Sequence, residues 1–331
     1  MKKQSARRIG EVGLALAAAL WLAASAGAQT SGSAGGDSAR RAERLRELGL
    51  RYADQGRYED AVKALSEAVR TAPGDAAAHN DLGYTYHSSG RYAEAVSSYR
   101  EAIRLRDDYA LAWNNLGMAY SASGDYQRAV EALRRALSSR PDYTAAFFNL
   151  GVTYQKMGLT AEAVEPLLNA VRLNPSYGDA HLSLGIAYVE LGLYDAATES
   201  LKRAAALSPD SPAIYRSLGL AHQKGGRLLD AVEAYRKALS LTPDAEVCNN
   251  LGVAFDLLGL RGRAAESYRQ AITLRPGYAE AHYNLALMHL RAGEKDEALK
   301  QYAVLKELDA GLAGGLFGLM HGDKLLSAAR E

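Results

Sequence analysis

Few side chains in this 331-residue chain have types and spacing that could do chemistry: seven histidines, one cysteine and a row of asparagines. His282 and His289 stand seven residues apart, about 10 Å along a helix at 1.5 Å per residue, too far to share one metal. There is no phosphate-binding Gly-x-x-x-x-Gly-Lys loop, no His-Glu-x-x-His pair, no Gly-x-Ser-x-Gly elbow and no paired-cysteine metal site. No catalytic residue, cofactor or metal is therefore expected. The asparagines are more regular. Asn115, Asn149, Asn250 and Asn284 recur at one register, which Asp81, Ser183 and Ser217 fill elsewhere; Asn80, Asn114, Phe148, Asn249 and Tyr283 each stand one residue earlier. A primary amide carries both donors and an acceptor, so such a row can pair with peptide backbone whatever its side chains. Asparagine is also a poor helix-interior residue, so its return needs a reason.

The register belongs to a larger period. Gly49, Gly83, Gly117, Gly151, Gly185 and Gly219 are evenly spaced, Gly252 comes one residue early, and Ala286 takes the place one full period later. Seven residues after each lies a second glycine (Gly56 through Gly293), and twelve after each an alanine (Ala61 through Ala298). Each of the eight units reads as two amphipathic helices, an A helix such as 112–121 and a B helix such as 126–138. The second glycine sits at the joint, where positive φ is free of steric cost, and Asp125 is placed to cap the next helix. Gly117 lies inside helix A, where it costs about 1 kcal/mol against alanine. The offsetting gain is close approach of helix B, with Ala129 as the matching small residue. Pro141 and its equivalents stop helix B, and Pro166, inside the fourth B helix, predicts a kink or a late helix start there.

The third unit reads Trp113-x-x-Leu116-Gly117-x-x-Tyr120, then Ala129, Leu133 and Pro141. In pattern and period this resembles the tetratricopeptide repeat, in register over residues 42–311. Departures are local: Cys248 stands at the Trp113 position of the seventh unit, and His222 and His289 replace the tyrosine. One such hairpin cannot bury its apolar face alone, whereas stacked neighbours can. The expected fold is all-α: a right-handed superhelical solenoid of about eight repeats. The five histidines at the Trp113 and Tyr120 positions then read as packing residues, which leaves only His87 and His321 outside the framework, and most of the tyrosines are framework as well.

The ends differ from the array. Lys2, Lys3, Arg7 and Arg8 precede an apolar stretch from Val12 to Ala24 and a small-residue Ala26-Gly27-Ala28, the pattern of a bacterial export signal over 1–28; an uncleaved anchor is the alternative. Periplasmic or secreted localisation follows. Residues 29–41 read as a flexible Ser/Gly-rich linker. With one cysteine no intramolecular disulfide can form. Leu305, Leu308, Leu312, Leu316 and Leu319 recur at helical spacing and predict a helix over 312–331 that closes the stack, its glycines reading either as a loosely held cap or as a dimerisation face. Residues 29–331 hold 35 basic and 37 acidic side chains, a balance that leaves no electrostatic footprint for nucleic acid.

In proteins that the array resembles, the A helices line a concave groove that holds extended peptides. The resemblance implies a groove formed by Asn80, Asp81, Asn114, Asn115, Phe148, Asn149, Ser183, Ser217, Asn249, Asn250, Tyr283 and Asn284, with the asparagines as backbone-binding rungs and Phe148 and Tyr283 as exposed aromatic contacts. Two readings of the rungs stay open, since each amide can instead bond to the neighbouring helix. The apolar residue after each glycine, Leu50, Tyr84, Met118, Val152, Ile186, Leu220, Val253 or Leu287, is either a groove floor or packing between A helices. The basic cluster that clamps a carboxyl terminus in some relatives is not matched. The expected function is a non-enzymatic scaffold for a protein or peptide partner in cell-envelope assembly. The alternative is a structural subunit that self-associates through its terminal repeats or joins polysaccharide machinery through its ends and convex face.

Overall fold

The computed structural model describes residues 34–328, and the side chains of 36–321; the expected export signal lies outside them. The described residues form seventeen helices. The A helices are α1 (Ala34–Asp54), α3 (Ala76–Ser88), α5 (Ala110–Ala122), α7 (Thr144–Lys156), α9 (Gly178–Glu190), α11 (Pro212–Lys224), α13 (Ala245–Leu257) and α15 (Ala279–Arg291). The B helices are α2 (Tyr58–Thr71), α4 (Tyr92–Leu105), α6 (Tyr126–Ser139), α8 (Thr160–Leu173), α10 (Tyr194–Leu207), α12 (Leu228–Leu241), α14 (Arg261–Leu274) and α16 (Lys295–Leu308), with α17 (Ala310–Ala328) beyond the last pair. The segment expected as a linker is helical from Ala34 onward, because its second half, rich in Ala and Arg, continues the first A helix.

All eight joint glycines adopt φ between 73° and 84°, so each A helix ends where the backbone enters the left-handed region that only glycine occupies without strain. Asp125 then caps α6 by accepting from the Arg128 N–H at 3.3 Å. The A-helix glycines solve a different problem. A Cβ at Gly117 would lie 2.6 Å from Leu133 Cγ, and one at Gly83 would lie 2.7 Å from the Tyr99 ring. The side chain pressed into each glycine thus comes from sixteen residues later, as Leu65, Tyr99, Leu133, Leu167, Leu201, Tyr235 or Tyr268, all fully or almost fully buried. Ala129 is itself buried, but it contributes its backbone oxygen, 3.2 Å from that Cβ position. The large residue on helix B, not the small one, is the partner the glycine admits.

Helix α8 begins at Thr160, one full repeat period after Tyr126, where α6 begins, so Pro166 causes no late start. The helix runs through the proline with its ring buried. Successive A helices approach one another backbone to backbone along the described array, whereas no two described B helices do, and side chains at the B-helix starts bridge the outer layer, as Arg227 does to Asp195 and Thr198. The A layer is therefore the inner, concave side of the solenoid, and the B layer splays outward. At the end of the stack α17 packs on α15 and α16, burying Ala313 and Leu316 against Ala286 and Leu305. Leu308 and Leu319 of the expected stripe are instead exposed, at 40% and 63%, because the helix begins at Ala310 and turns its 313/316 edge inward.

Cys248 is fully buried, and burial pushes its thiol up to about 11, which keeps the thiolate scarce near neutral pH. Iodoacetamide is expected to leave Cys248 unmodified in the folded chain and to alkylate it stoichiometrically in urea. Stoichiometric alkylation of the folded chain would contradict this burial.

Candidate functional site

The histidines are tied into the framework. Nε2 of His79, His181 and His282 lies 3.2, 3.1 and 2.9 Å from the carbonyl oxygens of Pro73, Pro175 and Pro276, and the Trp113 indole donates to Asp107 O at 2.8 Å. In these four repeats a ring N–H at this position anchors the loop that precedes the A helix, which explains why Trp and His interchange there. His289 Nδ1 meets Glu294 at 2.5 Å and His222 Nδ1 accepts from Arg227 at 3.1 Å. His87 and His321 are not free either: His87 lies 5.4 Å from the Tyr92 ring and His321 stacks on Phe317. Among the described residues no group of three or more His, Cys, Asp or Glu could hold a metal, and no helix is long and apolar enough to cross a membrane.

The asparagines meet across the inner face, one A helix to the next. Asn115 Nδ2 donates to Asn80 Oδ1 at 3.0 Å, Asn149 Nδ2 to Asn114 Oδ1 at 2.9 Å and Asn284 Nδ2 to Asn249 Oδ1 at 2.9 Å. Arg46 extends the row by donating from Nε to Asp81 Oδ2 at 2.6 Å. Each bond joins one repeat's register to the next across a single A-helix step. Asn80, Asn114 and Asn249 are buried, while Asn115, Asn149, Asn250 and Asn284 are half-buried. The amides of three expected rungs therefore bind repeat to repeat, each using one of its two N–H donors there, and Asn115 Oδ1 in turn accepts from Asn114 Nδ2 at 3.3 Å.

Where serine interrupts the row, its partner changes too. In the frame that pairs Asn149 with Asn114, Ser183 faces Phe148 and Ser217 faces Leu182, and both of these larger residues pack with the apolar core. Ser217 turns its hydroxyl back to Ala213 O at 3.0 Å. A bulky apolar side chain on one repeat is thus matched by a small one on the next, where two amides pair elsewhere. The two expected aromatic contacts are half-buried instead of exposed. Phe148 lies 4.8 Å from the Tyr177 ring, and Tyr283 packs with the residues that α17 covers.

The apolar row after the glycines is half-buried in all eight repeats, from Leu50 through Leu287. It follows the buried asparagine by one turn: Asn114 Nδ2 lies 3.7 Å from Met118 Sδ. The inner face therefore presents one partly exposed apolar side chain per repeat beside an amide network that holds the A helices in register.

An α-solenoid of paired helices with such a face is, as a class, a scaffold for protein interactions, and the fold is of a typically non-catalytic kind. A family model described as cilia and flagella-associated protein 70 C-terminal domain, a repeat region of this type, matches residues 106–315, and the tetratricopeptide repeat model matches 46–110. The chain belongs to the tetratricopeptide repeat family. No curated protein matches it. Among solved structures it is similar to a tetratricopeptide repeat protein from Parabacteroides merdae, with a TM-score of 0.54 and 20% identity over 75% of this chain and 99% of that one. It is also similar to the APC/C hetero-tetramer Cut9–Hcn1, with a TM-score of 0.55 and 19% identity over 78% of this chain but only 52% of that one. These likenesses are of fold.

Proposed function

We propose that this chain is a non-catalytic adaptor that holds an extended segment or a helix of a partner protein along its concave face, in the cell envelope. The observation that supports this reading is the half-buried apolar row repeated once per A helix, which gives a partner a regular series of contacts on a layer whose spacing the amide bonds fix. With A helices about 9 Å apart and an extended peptide advancing about 3.3 Å per residue, each repeat meets roughly every third ligand residue. Asn149 and Asn284 each keep a second N–H and the amide carbonyl beyond the repeat-to-repeat bond, and these are the groups offered to a ligand backbone. Export rests on the residues before Gln29, which predict a secreted chain whose mass corresponds to cleavage after Ala28.

Ile186→Glu/Leu220→Glu puts charge into the row at two repeats whose preceding turn carries Leu182 and Ser183 or Arg216 and Ser217, and no amide. Wild type, this double variant and an outer-face control, Glu233→Lys, are compared in a pull-down from envelope extract read by mass spectrometry. A partner kept by wild type and control but lost by the double variant, with helicity unchanged, supports the concave reading. A partner kept by all three overturns it.

A further inference from the structure

Because the B-helix backbones stand apart, the outer layer opens clefts floored by the intervening A helix. Between α4 and α6 the cleft encloses about 630 Å³, within the range of ligand-binding clefts. Its walls carry Arg100, Arg128, Arg134 and Arg135 against a single carboxylate, Glu131, and Trp113 and Tyr120 form its floor. Arg128 pairs with Asp125 and also lies 4.9 Å from the centre of the Tyr120 ring. Arg100 and Arg134 are held only by phenol oxygens, donating to Tyr120 at 2.7 Å and to Tyr154 at 2.8 Å. Among the described residues no carboxylate pairs with Arg100, Arg134 or Arg135. A phenol fixes a guanidinium without neutralising it, so the charge of Arg100, like that of unpaired Arg135, stays uncompensated beside the aromatic floor, whereas Arg134 is shared with the next cleft, where Tyr154, Glu162 and Glu165 also lie.

The repeat frame does not demand this arrangement. One period after Arg128, Arg134 and Arg135 the chain holds Glu162, Leu168 and Asn169. The next cleft, between α6 and α8, is half the size, about 310 Å³, and sets Glu162 and Glu165 against Arg134 alone. The same architecture one step along thus carries the opposite charge.

We infer that the outer cleft between the second and third repeats binds an acidic peptide segment of a partner, with carboxylates on Arg100 and Arg135 and an apolar side chain over Trp113 and Tyr120. Guanidinium forks match carboxylates bidentately, and aromatic residues with arginine are the side chains that anchor protein interfaces. A nucleic acid strand needs a basic groove that tracks its backbone over several nucleotides, whereas here the basic surface ends within one repeat at Glu162 and Glu165. This site lies on the opposite face from the concave groove, and its occupation does not depend on that groove.

The test titrates a fluorescein-labelled Glu-Glu-Leu-Glu-Glu-Leu peptide into the full chain and follows anisotropy. The expected result is saturable binding that weakens with salt and falls at least about tenfold for a Gln-for-Glu peptide. It falls by the same measure for Arg128→Glu/Arg135→Asn, a variant that carries the residue types the next repeat holds in the same frame. Arg135→Glu alone changes an exposed side chain without a partner, leaves the fold intact, and is expected to weaken binding severalfold. Absence of saturable binding, equal affinity for the Gln peptide, undiminished binding by Arg135→Glu, or tighter binding of oligothymidylate than of the acidic peptide each overturns the inference.

Discussion

Gly117→Val is expected to destabilise the array by about 3 kcal/mol, read as a lowered urea midpoint by circular dichroism. The new Cβ would stand 2.6 Å from Leu133 Cγ and 3.2 Å from Ala129 O. Both neighbours belong to α6, and the carbonyl is backbone that cannot rotate away. Overpacking of this kind costs about 1–3 kcal/mol and occasionally more, which outweighs the several tenths that a helix gains when glycine is replaced. A double-mutant cycle separates the two clashes. Leu133→Ala alone costs about 2–5 kcal/mol as a cavity, and the pair Gly117→Val/Leu133→Ala is expected to be less destabilised than the sum by about 1 kcal/mol or more, since the added methyls enter the space the leucine leaves. Strict additivity would mean that the glycine serves the Ala129 backbone and not the leucine. The eighth repeat already shows the exchange: Ala286 is fully buried at the glycine position, and Tyr302, the residue sixteen later, is only half-buried and faces Phe317 of α17 at 5.9 Å between ring centres.

The repeat fold was legible because glycine is needed in two places for two reasons, an absent Cβ and a positive φ, and each leaves a periodic mark such as Gly117 and Gly124. The burial of the Ala61-to-Ala298 ladder follows from the same period. The inner face was half legible. The register of Asn115, Asn149 and Asn284 was visible, but an amide that can serve a ligand can equally serve its neighbour, and the choice depends on a partner in the preceding repeat, across two helices. Only the matching of Phe148 with Ser183, and of Leu182 with Ser217, hints from sequence that these positions touch. The loop-anchoring N–H of His79, His181, His282 and Trp113 was read as bulk, since a packing ring and a donating ring share a position. The outer arginine cleft was least legible. Its signal is a departure from the period at Arg128, Arg134 and Arg135, and a reading built on recurrence passes over what does not recur.

Asn114→Phe is expected to cost about 2 kcal/mol, and Asn114→Phe/Asn149→Ser to recover most of it. Asn114 is 3% exposed and accepts from Asn149 at 2.9 Å, so a ring there both crowds the facing amide and removes its acceptor. Loss of a buried partner costs about 1–3 kcal/mol, and the crowding adds to it. The double variant recreates, one repeat earlier, the combination Phe148 with Ser183. It also meets an equivalent setting, because Tyr143 stands one period before Tyr177, the ring against which Phe148 packs. Urea midpoints of the wild type, both single variants and the double variant decide whether the row is a stack of interchangeable pairs. The same double variant also separates two versions of the concave site. A partner held by the apolar row of Met118 and Val152 remains bound when amides are exchanged for Phe and Ser, whereas a partner held by the amides loses its contact at Asn149.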